Sequence, residues 1–416
     1  MSIPPRYFLS VGSTLLSSCR TVPASIERSE GSPSTIVDMK FFACSNETCA
    51  GSGGTSGSVL NSSTIGRSDA NASSHAAPTR SGSSQKMPCN PIERANAWYG
   101  TSGRSWVASF GANGWRVGLI SRDEDRLHDA KRNIDEAGGE GLVLPCDVAD
   151  APRVFEARDR VVAKWGRVDV WVNCAMATVV GPVVEVTPDE YRRVTEVTYL
   201  GAVHGTLAAL EVMRPRNRGS IIQVGSALAY RAIPLQSAYC ASKFAIRGFT
   251  DSLRVELIHD RSDVHITMVQ MPGMNTPQFD WARNKLDYAY QPVGDVFDPD
   301  VAVDAVWRAL RDAPRELWVG GSAIEAMTGQ LLAPALLDRY LAHAAWEGQM
   351  SDVPNPHAPG NLFAPASGHQ GARGRFGARA KPKAAIVDPD RVRTALVTVV
   401  VVAVGALSAL RIAQRR

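Results

Sequence analysis

The sequence predicts an α/β fold in which helices cover both faces of a doubly wound, parallel sheet. From about residue 115 onward, short apolar runs alternate with segments of helical periodicity. The apolar runs are continuous, which is typical of strands that are buried on both faces. The helical segments carry residues that favour helix starts and ends. Strands that alternate with helices in this way indicate parallel strands joined by helical crossovers.

Six apolar runs are the predicted strands. Each is rich in Val, Ile or Leu, the residues that fit a buried, pleated surface. Most are bounded by Gly, Pro or polar residues, which favour turns and helix starts. The strands are predicted at residues 117–120, 142–144, 168–172, 221–224, 266–271 and 317–319.

The predicted helices fill the intervals between these strands. The first, at about 127–137, ends at Gly138-Gly139, and glycine suits a helix C-terminus. A later helix starts at Thr187, whose side chain can cap the helix while Glu190 completes a capping box, and it continues toward residue 213. Further helices are predicted at 152–164, from 239 to about 257, and after Asp298-Pro299.

Composition divides the 416-residue chain into five segments. Residues 1–92 are rich in Ser and Gly without periodicity, which predicts disorder because such a chain buries too little apolar surface. The α/β domain is expected at 93–325. Residues 326–346 predict an amphipathic helical appendage that could cover the active site, mediate dimerisation or lie against a membrane. Residues 347–390 are rich in Pro, Gly and Arg and predict a flexible linker before a C-terminal segment at 391–416.

That C-terminal segment predicts a transmembrane anchor. Residues 394–410 are uncharged and rich in Val, and arginines flank them on both sides. At ~1.5 Å per residue this helix is about 25 Å long, slightly short of a hydrocarbon core of ~30 Å, and Ile412 could extend it. The alternative is a core or oligomer helix in a soluble enzyme. Since both flanks are basic, the orientation is open, and we expect a cytoplasmic catalytic domain.

Charge and cysteine content exclude several classes of function. The net charge of +4 is modest, and no basic stripe with interleaved aromatic residues indicates nucleic-acid binding. The seven cysteines form no C-x-x-C pair, so neither a zinc site nor a disulfide framework is predicted. We therefore expect no metal site and a reducing compartment.

Three residues predict proton-transfer chemistry. Tyr239 and Lys243 are four residues apart and share one face of the predicted helix. A free tyrosine has a pKa of about 10, and a nearby ammonium group favours the phenolate and is expected to lower that pKa. Ser226 follows a predicted strand and could offer its hydroxyl to the same substrate oxygen. By itself the Tyr–Lys spacing is common on helices, where a half-buried tyrosine and a solvated lysine are the ordinary interpretation.

The order and spacing of these motifs resemble the short-chain dehydrogenase/reductase family over roughly residues 100–325, which implies a Rossmann-like domain. The resemblance implies hydride transfer between a substrate carbon and a nicotinamide. Tyr239 would then be the acid or base, Lys243 would lower its pKa and hold the ribose, and Ser226 would orient the substrate. Thr198 stands where the family has an Asn that links the lysine to water.

The resemblance also implies residues that hold the cofactor. Arg122 follows the strand at 117–120, where no carboxylate is available for a ribose 2′-hydroxyl, so NADP(H) is favoured over NAD. Asp147 and Val148 resemble the adenine contact. Asn173 and Ala175 match part of the turn that backs the ribose, although a structural turn is the alternative.

The two ends of the cofactor motif are less regular. Pro272-Gly273 and Thr276 resemble the stretch that holds the nicotinamide carboxamide, although the stretch is one residue shorter than usual. In the phosphate loop only Gly103 matches a family glycine, and no apolar strand precedes it. The first strand and the phosphate loop are therefore predicted to be degenerate.

Two functions compete at this point. The first is an NADP(H)-dependent oxidoreductase that interconverts a small, apolar carbonyl compound and a secondary alcohol, as a membrane-anchored homo-oligomer. The second is a non-catalytic, membrane-anchored scaffold that retains the domain but has lost its phosphate loop. Gln278, Phe279 and Trp281 either line a substrate pocket or only pack their segment down.

Overall fold

The structure, a computed structural model, describes residues 95–99, 109–356, 359–366, 371–395 and 397–398. Within 95–99 it describes the backbone alone. The predicted disordered segment at 1–92, Gly103 and most of the predicted membrane anchor at 394–410 lie outside these residues.

An eight-stranded sheet forms the centre of the described chain. Its strand order is β8-β7-β6-β5-β4-β1-β2-β3, and every neighbouring pair is parallel except the antiparallel pair β7 and β8. The order reverses between β1 and β4, as in a doubly wound sheet. The strands are β1 (Ala95–Tyr99), β2 (Arg116–Ser121), β3 (Glu140–Pro145), β4 (Val170–Asn173), β5 (Gly219–Ser226), β6 (Val264–Met271), β7 (Glu316–Val319) and β8 (Ile386–Val387).

Helices connect the strands as the alternation predicted. Thr187 and Glu190 form the predicted capping box, with the Glu190 carboxylate accepting from the Thr187 N–H at 2.8 Å. The chain from Thr187 to residue 213 contains two α-helices with a π-helical turn, Glu196–Leu200, between them. The helices are α1 (Glu124–Glu136), α2 (Ala151–Trp165), α3 (Pro188–Thr195), α4 (Gly201–Met213), α5 (Ser237–His259), α6 (Pro299–Asp312), α7 (Gly321–Leu332) and α8 (Pro334–Gly348).

Apolar residues of the strands and helices form one main core. The side chains of Val117, Trp171, Ile221 and Leu317 are fully buried and come from four different strands of the sheet. Close packing of this kind fixes the positions of the strand ends, where the polar candidates of the site are found.

The prediction of a degenerate first strand is wrong. Residues Ala95–Tyr99 form β1 in the centre of the sheet, where Asn96 pairs with Val117 on one side and Val170 on the other. The segment lacks an apolar run, and for that reason its sequence does not indicate a buried strand. A central strand obtains hydrogen bonds from two neighbours, and this tertiary context overrides a weak local propensity.

The described part of 347–390 packs against the domain and is not a free tether. Besides β8, it contributes Met350–Pro354, which pairs with Tyr288–Tyr290, and Ala380–Lys381, which pairs with Val296–Phe297. Its few apolar anchors, such as Leu362, are spaced irregularly, so the sequence shows no periodicity from which docking could be predicted.

The helical appendage predicted at 326–346 is a pair of helices, α7 and α8. Among the described residues, no helix has both the length and the apolar character that crossing a bilayer takes.

Candidate active site

Three elements of the fold bring the predicted catalytic residues together. Ser226 is the last residue of β5, and Tyr239 and Lys243 lie in the first turns of α5. All three line one cavity of about 60 Å³, which we name the triad cavity. Because the carboxyl ends of parallel strands face the ligand side of such a sheet, this is the expected position for a site.

Ser226 is held in place through its backbone. Its N–H donates to Gln270 Oε1 at 2.7 Å, and its Oγ accepts from the Leu228 N–H at 3.2 Å. Gln270 in turn donates to Glu316 Oε1 at 2.7 Å, and the Tyr230 hydroxyl donates to the other oxygen of Glu316 at 2.6 Å. This buried network fixes the end of β5.

The sequence pattern did not identify the network, although one signal was available. Gln270 is a polar residue inside an apolar run, and a buried glutamine needs hydrogen-bond partners.

Lys243 is buried and points beneath the tyrosine. Its Nζ donates to the carbonyl of Val224 at 2.7 Å and lies 5.5 Å from the centre of the Tyr239 ring. Burial lowers the pKa of Lys243 to about 8. Burial also raises the pKa of Tyr239, and the hydrogen bond with the Ser226 side chain opposes that rise only in part. In this structure the pKa of the tyrosine is therefore raised and not lowered, contrary to the sequence-based expectation.

Thr198 lies in the π-helical turn and is fully buried. Its Oγ1 donates to the Ala177 carbonyl and accepts from the Ala177 N–H, both at 3.0 Å. These bonds fix the loop after β4 to the turn. A role for Thr198 in a water relay to Lys243 stays a prediction.

Four of the predicted cofactor residues line a second cavity of about 120 Å³ at the ends of β2 and β3, which we name the Arg122 cavity. They are Arg122, Asp147, Val148 and Ala175. Met176 lines both this cavity and the triad cavity, so the two are neighbours. The arrangement fits an extended dinucleotide whose adenosine end lies at Arg122 and whose nicotinamide end lies at Tyr239.

The charged residues of the Arg122 cavity have partners within the protein. Arg122 donates to the backbone carbonyls of Asn361 and Leu362, and burial lowers its pKa. Asp147 accepts from the Ala149 N–H at 3.0 Å and from the guanidinium of Arg193. The sequence gave no signal for Arg193, since it is 46 residues from Asp147 on an ordinary helix surface.

Asn173 lies beneath the cavity, and its amide is engaged in the interior. Its Nδ2 donates to Thr206 Oγ1 at 3.0 Å and to Gln223 Oε1 at 3.1 Å, and its Oδ1 accepts from Trp171 at 2.9 Å. These bonds support the structural-turn alternative for the side chain of Asn173.

The residues predicted for the nicotinamide end lie beside the catalytic residues. Pro272 and Thr276 line the triad cavity, and the Thr276 N–H donates to the Met274 carbonyl at 2.8 Å. Gly273 pairs with Val296 in a small sheet and lines a third cavity.

This third cavity, which we name the large cavity, has a volume of about 440 Å³ and shares Ser226 and Tyr239 with the triad cavity. Of the predicted pocket residues, Gln278 and Phe279 line it, whereas Trp281 lines the Arg122 cavity. Sequence reasoning missed most of its other lining residues, which come from separate elements, among them Ile233, Tyr290, Ala326, Leu337, Tyr340 and Leu341.

Comparisons with known proteins agree with this geometry. Residues 100–286 match the family model described as short chain dehydrogenase. The uncharacterized oxidoreductase YxnA of Bacillus subtilis (strain 168) is 29% identical over 256 residues, which are 60% of this chain and 71% of that protein. The 3-dehydrosphinganine reductase of Danio rerio is 32% identical over 168 residues, which are 39% of this chain and 50% of that protein. The match to this second relative thus spans half of its length.

A solved structure extends the comparison to the fold. A short-chain dehydrogenase from Streptomyces avermitilis is 28% identical and superposes with a TM-score of 0.51, over 59% of this chain and 97% of that one. The motifs, the position of the catalytic residues and these similarities agree. The chain therefore belongs to the short-chain dehydrogenase/reductase family of oxidoreductases.

Proposed function

We propose that the protein is an NADP(H)-dependent oxidoreductase that interconverts an apolar carbonyl compound and the corresponding secondary alcohol, with Tyr239 as the proton donor or acceptor. One observation carries the proposal. The catalytic residues Ser226, Tyr239 and Lys243 line a cavity that adjoins the large cavity on one side and, at Met176, the Arg122 cavity on the other.

The chain's own residues have a defined task in this reaction. The cofactor supplies or accepts the hydride. Because the pKa of Tyr239 is raised, its hydroxyl is protonated at neutral pH and can donate to a substrate oxygen that gains negative charge. The Ser226 hydroxyl, beside the phenol, orients that oxygen. Lys243 lies under the phenol ring, where its ammonium group favours the tyrosinate that forms.

The preference for NADP(H) is supported by the charges at the end of β2. Two guanidinium groups, Arg122 and Arg193, lie beside the Arg122 cavity. The nearby carboxylate of Asp123 caps α1, accepting from the Arg126 N–H at 3.1 Å, and forms an ion pair with the Arg126 side chain. It is therefore engaged and poorly placed to accept from a ribose 2′-hydroxyl, whereas arginines suit a 2′-phosphate.

The large cavity supports an apolar substrate. Its volume of about 440 Å³ is within the usual range for ligand pockets, ~300–1,000 Å³. Apolar side chains form much of its wall, and Ser226 and Tyr239 lie at its inner end. A relative is named 3-dehydrosphinganine reductase. We therefore propose a substrate with a long apolar portion next to the reacting carbonyl, and we keep the C-terminal membrane anchor and homo-oligomer as part of the proposal.

The test uses the purified full chain. NADPH is expected to bind more tightly than NADH in a fluorescence titration and to raise the melting temperature, and decanal or 2-decanone is expected to be reduced. The non-catalytic scaffold predicts no binding of either nucleotide.

The variant Tyr239→Phe tests the role of the tyrosine. It is expected to lower kcat by ~10²–10⁴-fold while NADPH binding is retained, because it removes only the proton donor. The matched control is Tyr288→Phe, since Tyr288 is a half-exposed tyrosine that does not line the triad cavity. Undiminished turnover in Tyr239→Phe would contradict the assignment.

A further inference from the structure

A segment of the C-terminal region lies across the Arg122 cavity. It comprises residues 359–366, which we name the strap. The Asn361 N–H donates to the Trp281 carbonyl at 2.7 Å, and the side chain of Leu362 is 0% exposed and belongs to the main core. Gly360 has a φ of +69°, and a Cβ there would lie 2.6 Å from the backbone nitrogen of Arg283. The strap is thus docked in one defined position.

Arginines bind the strap through its backbone carbonyls. Arg122 donates to the carbonyls of Asn361 and Leu362, and Arg193 Nε donates to the Leu362 carbonyl at 3.1 Å. Arg126 Nη2 donates to the Ala366 carbonyl at 2.7 Å. These acceptors are neutral, and a phosphate forms stronger, charge-assisted hydrogen bonds with a guanidinium group. A phosphate that reached Arg122 and Arg193 would therefore displace weaker partners.

The docked strap leaves little room for a nucleotide. The Arg122 cavity has about 120 Å³, and Asn361, Pro365 and Ala366 form part of its wall. Ligand pockets usually have at least ~300 Å³. The adenosine end of a dinucleotide therefore needs the strap to move.

We propose that Arg122 and Arg193 form a clasp that holds either the carbonyls of the strap or the 2′-phosphate of NADP(H), so that the strap is an intramolecular competitor of the cofactor. The proposal rests on the proposed function, since it assumes that NADP(H) binds here. It adds a second specificity-determining residue, Arg193, and a segment whose release accompanies binding.

Hydrogen exchange of the full-length protein, followed by mass spectrometry with and without NADPH, tests this directly. If NADPH displaces the strap, the Asn361 N–H loses its bond to Trp281, and peptides that cover 359–366 exchange faster in the bound state. If the strap is instead a fixed wall of the cofactor site, the same peptides exchange more slowly or without change, and the proposal is wrong.

A pair of neighbouring variants gives an independent measurement. Leu362→Ala weakens docking of the strap and is expected to lower the Kd of NADPH by about tenfold, since the lost burial no longer opposes binding. Phe363→Ala is the matched control, because Phe363 is the next residue of the strap but is 55% exposed, and its Kd is expected to equal that of the wild type. A higher or unchanged Kd for Leu362→Ala overturns the competitor role.

The outcomes separate the strap from the proposed function. If NADPH binds the wild type while the strap stays protected, the function stands and the strap proposal fails. If NADPH binds neither the wild type nor Leu362→Ala, the proposed function fails and the strap proposal with it. Binding to Leu362→Ala alone supports both.

Discussion

Replacing Gln270 by methionine tests whether the buried network beneath Ser226 determines activity as well as stability. Gln270 lies on β6, is fully buried, and joins the Ser226 N–H to the carboxylate of Glu316. Methionine has a similar length but offers no amide. The variant therefore removes two hydrogen bonds with little change in side-chain volume.

The cost in stability follows from the groups left without partners. The buried Ser226 N–H loses its acceptor, at ~1–3 kcal/mol, and Glu316 loses a donor to its charged group, at ~1.5–3 kcal/mol. The free energy of unfolding is expected to fall by about 2–6 kcal/mol. At ~2 °C per kcal/mol, this lowers Tm by about 4 °C or more.

The effect on activity follows from the position of Ser226. Without Gln270, the end of β5 loses the contact that fixes its backbone, and the Ser226 hydroxyl moves relative to Tyr239. A displacement of ~1 Å in an active site can lower the rate by ~10²-fold. We therefore expect kcat/KM for decanal to fall by roughly 10–100-fold while the Kd of NADPH stays the same.

A second variant on the same strand separates positioning from general destabilisation. Thr267→Val removes the hydrogen bond from the Thr267 hydroxyl to the Pro314 carbonyl, 2.7 Å long, at a buried position three residues before Gln270. It is expected to lower Tm without changing kcat/KM at a temperature where both variants are folded. If Gln270→Met loses stability but keeps full activity, the network has a structural role alone.

Three further predictions concern charged groups. Arg122→Ala is expected to raise the Kd of NADPH by about tenfold or more and that of NADH much less, as measured by fluorescence titration, and equal losses would contradict a 2′-phosphate contact. Because the pKa of Lys243 is lowered from 10.5 to about 8, the folded state binds fewer protons than the unfolded state between these values. The free energy of unfolding of the wild type should therefore rise relative to Lys243→Met between pH 8 and 10.5, by roughly 3 kcal/mol at ~1.4 kcal/mol per pKa unit, and parallel urea-denaturation profiles would refute this. Burial raises the pKa of Glu190, but hydrogen bonds from Lys285, the Thr187 backbone and Arg283 outweigh it and lower the pKa to about 2. The stability that these bonds supply should be lost as pH falls from about 4.5 to about 2, and Glu190→Gln should not show this loss.

The parts of the fold that the sequence predicts are those determined locally. The capping box at Thr187 and Glu190 needs only four residues, and the structure contains it. The side chains of Tyr239 and Lys243 share a helix face because of their spacing alone. Ser226 joins them because it ends a strand whose neighbours in the sheet are fixed by the alternation of strands and helices.

The parts that the sequence does not predict depend on distant partners. Residues 95–99 form a central strand because β2 and β4 bond to them on both sides, and no local pattern reports that. The docking of Leu362 follows from arginines of the domain that meet backbone carbonyls, which every residue has. Carbonyls carry no sequence signal, so a Pro-, Gly- and Arg-rich segment is easily interpreted as a linker.

The positions of the cavities indicate what a displaced strap would change. The strap forms part of the wall of the Arg122 cavity, and farther along the chain Gly374 packs on Thr276, where a Cβ would lie 2.5 Å from the Thr276 carbonyl oxygen. In the described chain, the large cavity is lined only by residues before 342. Movement of the strap would thus open the cofactor side and leave the substrate side unaltered. It follows that Leu362→Ala should change the Kd of NADPH but not the KM of decanal at saturating NADPH, whereas a general loosening of the domain would change both.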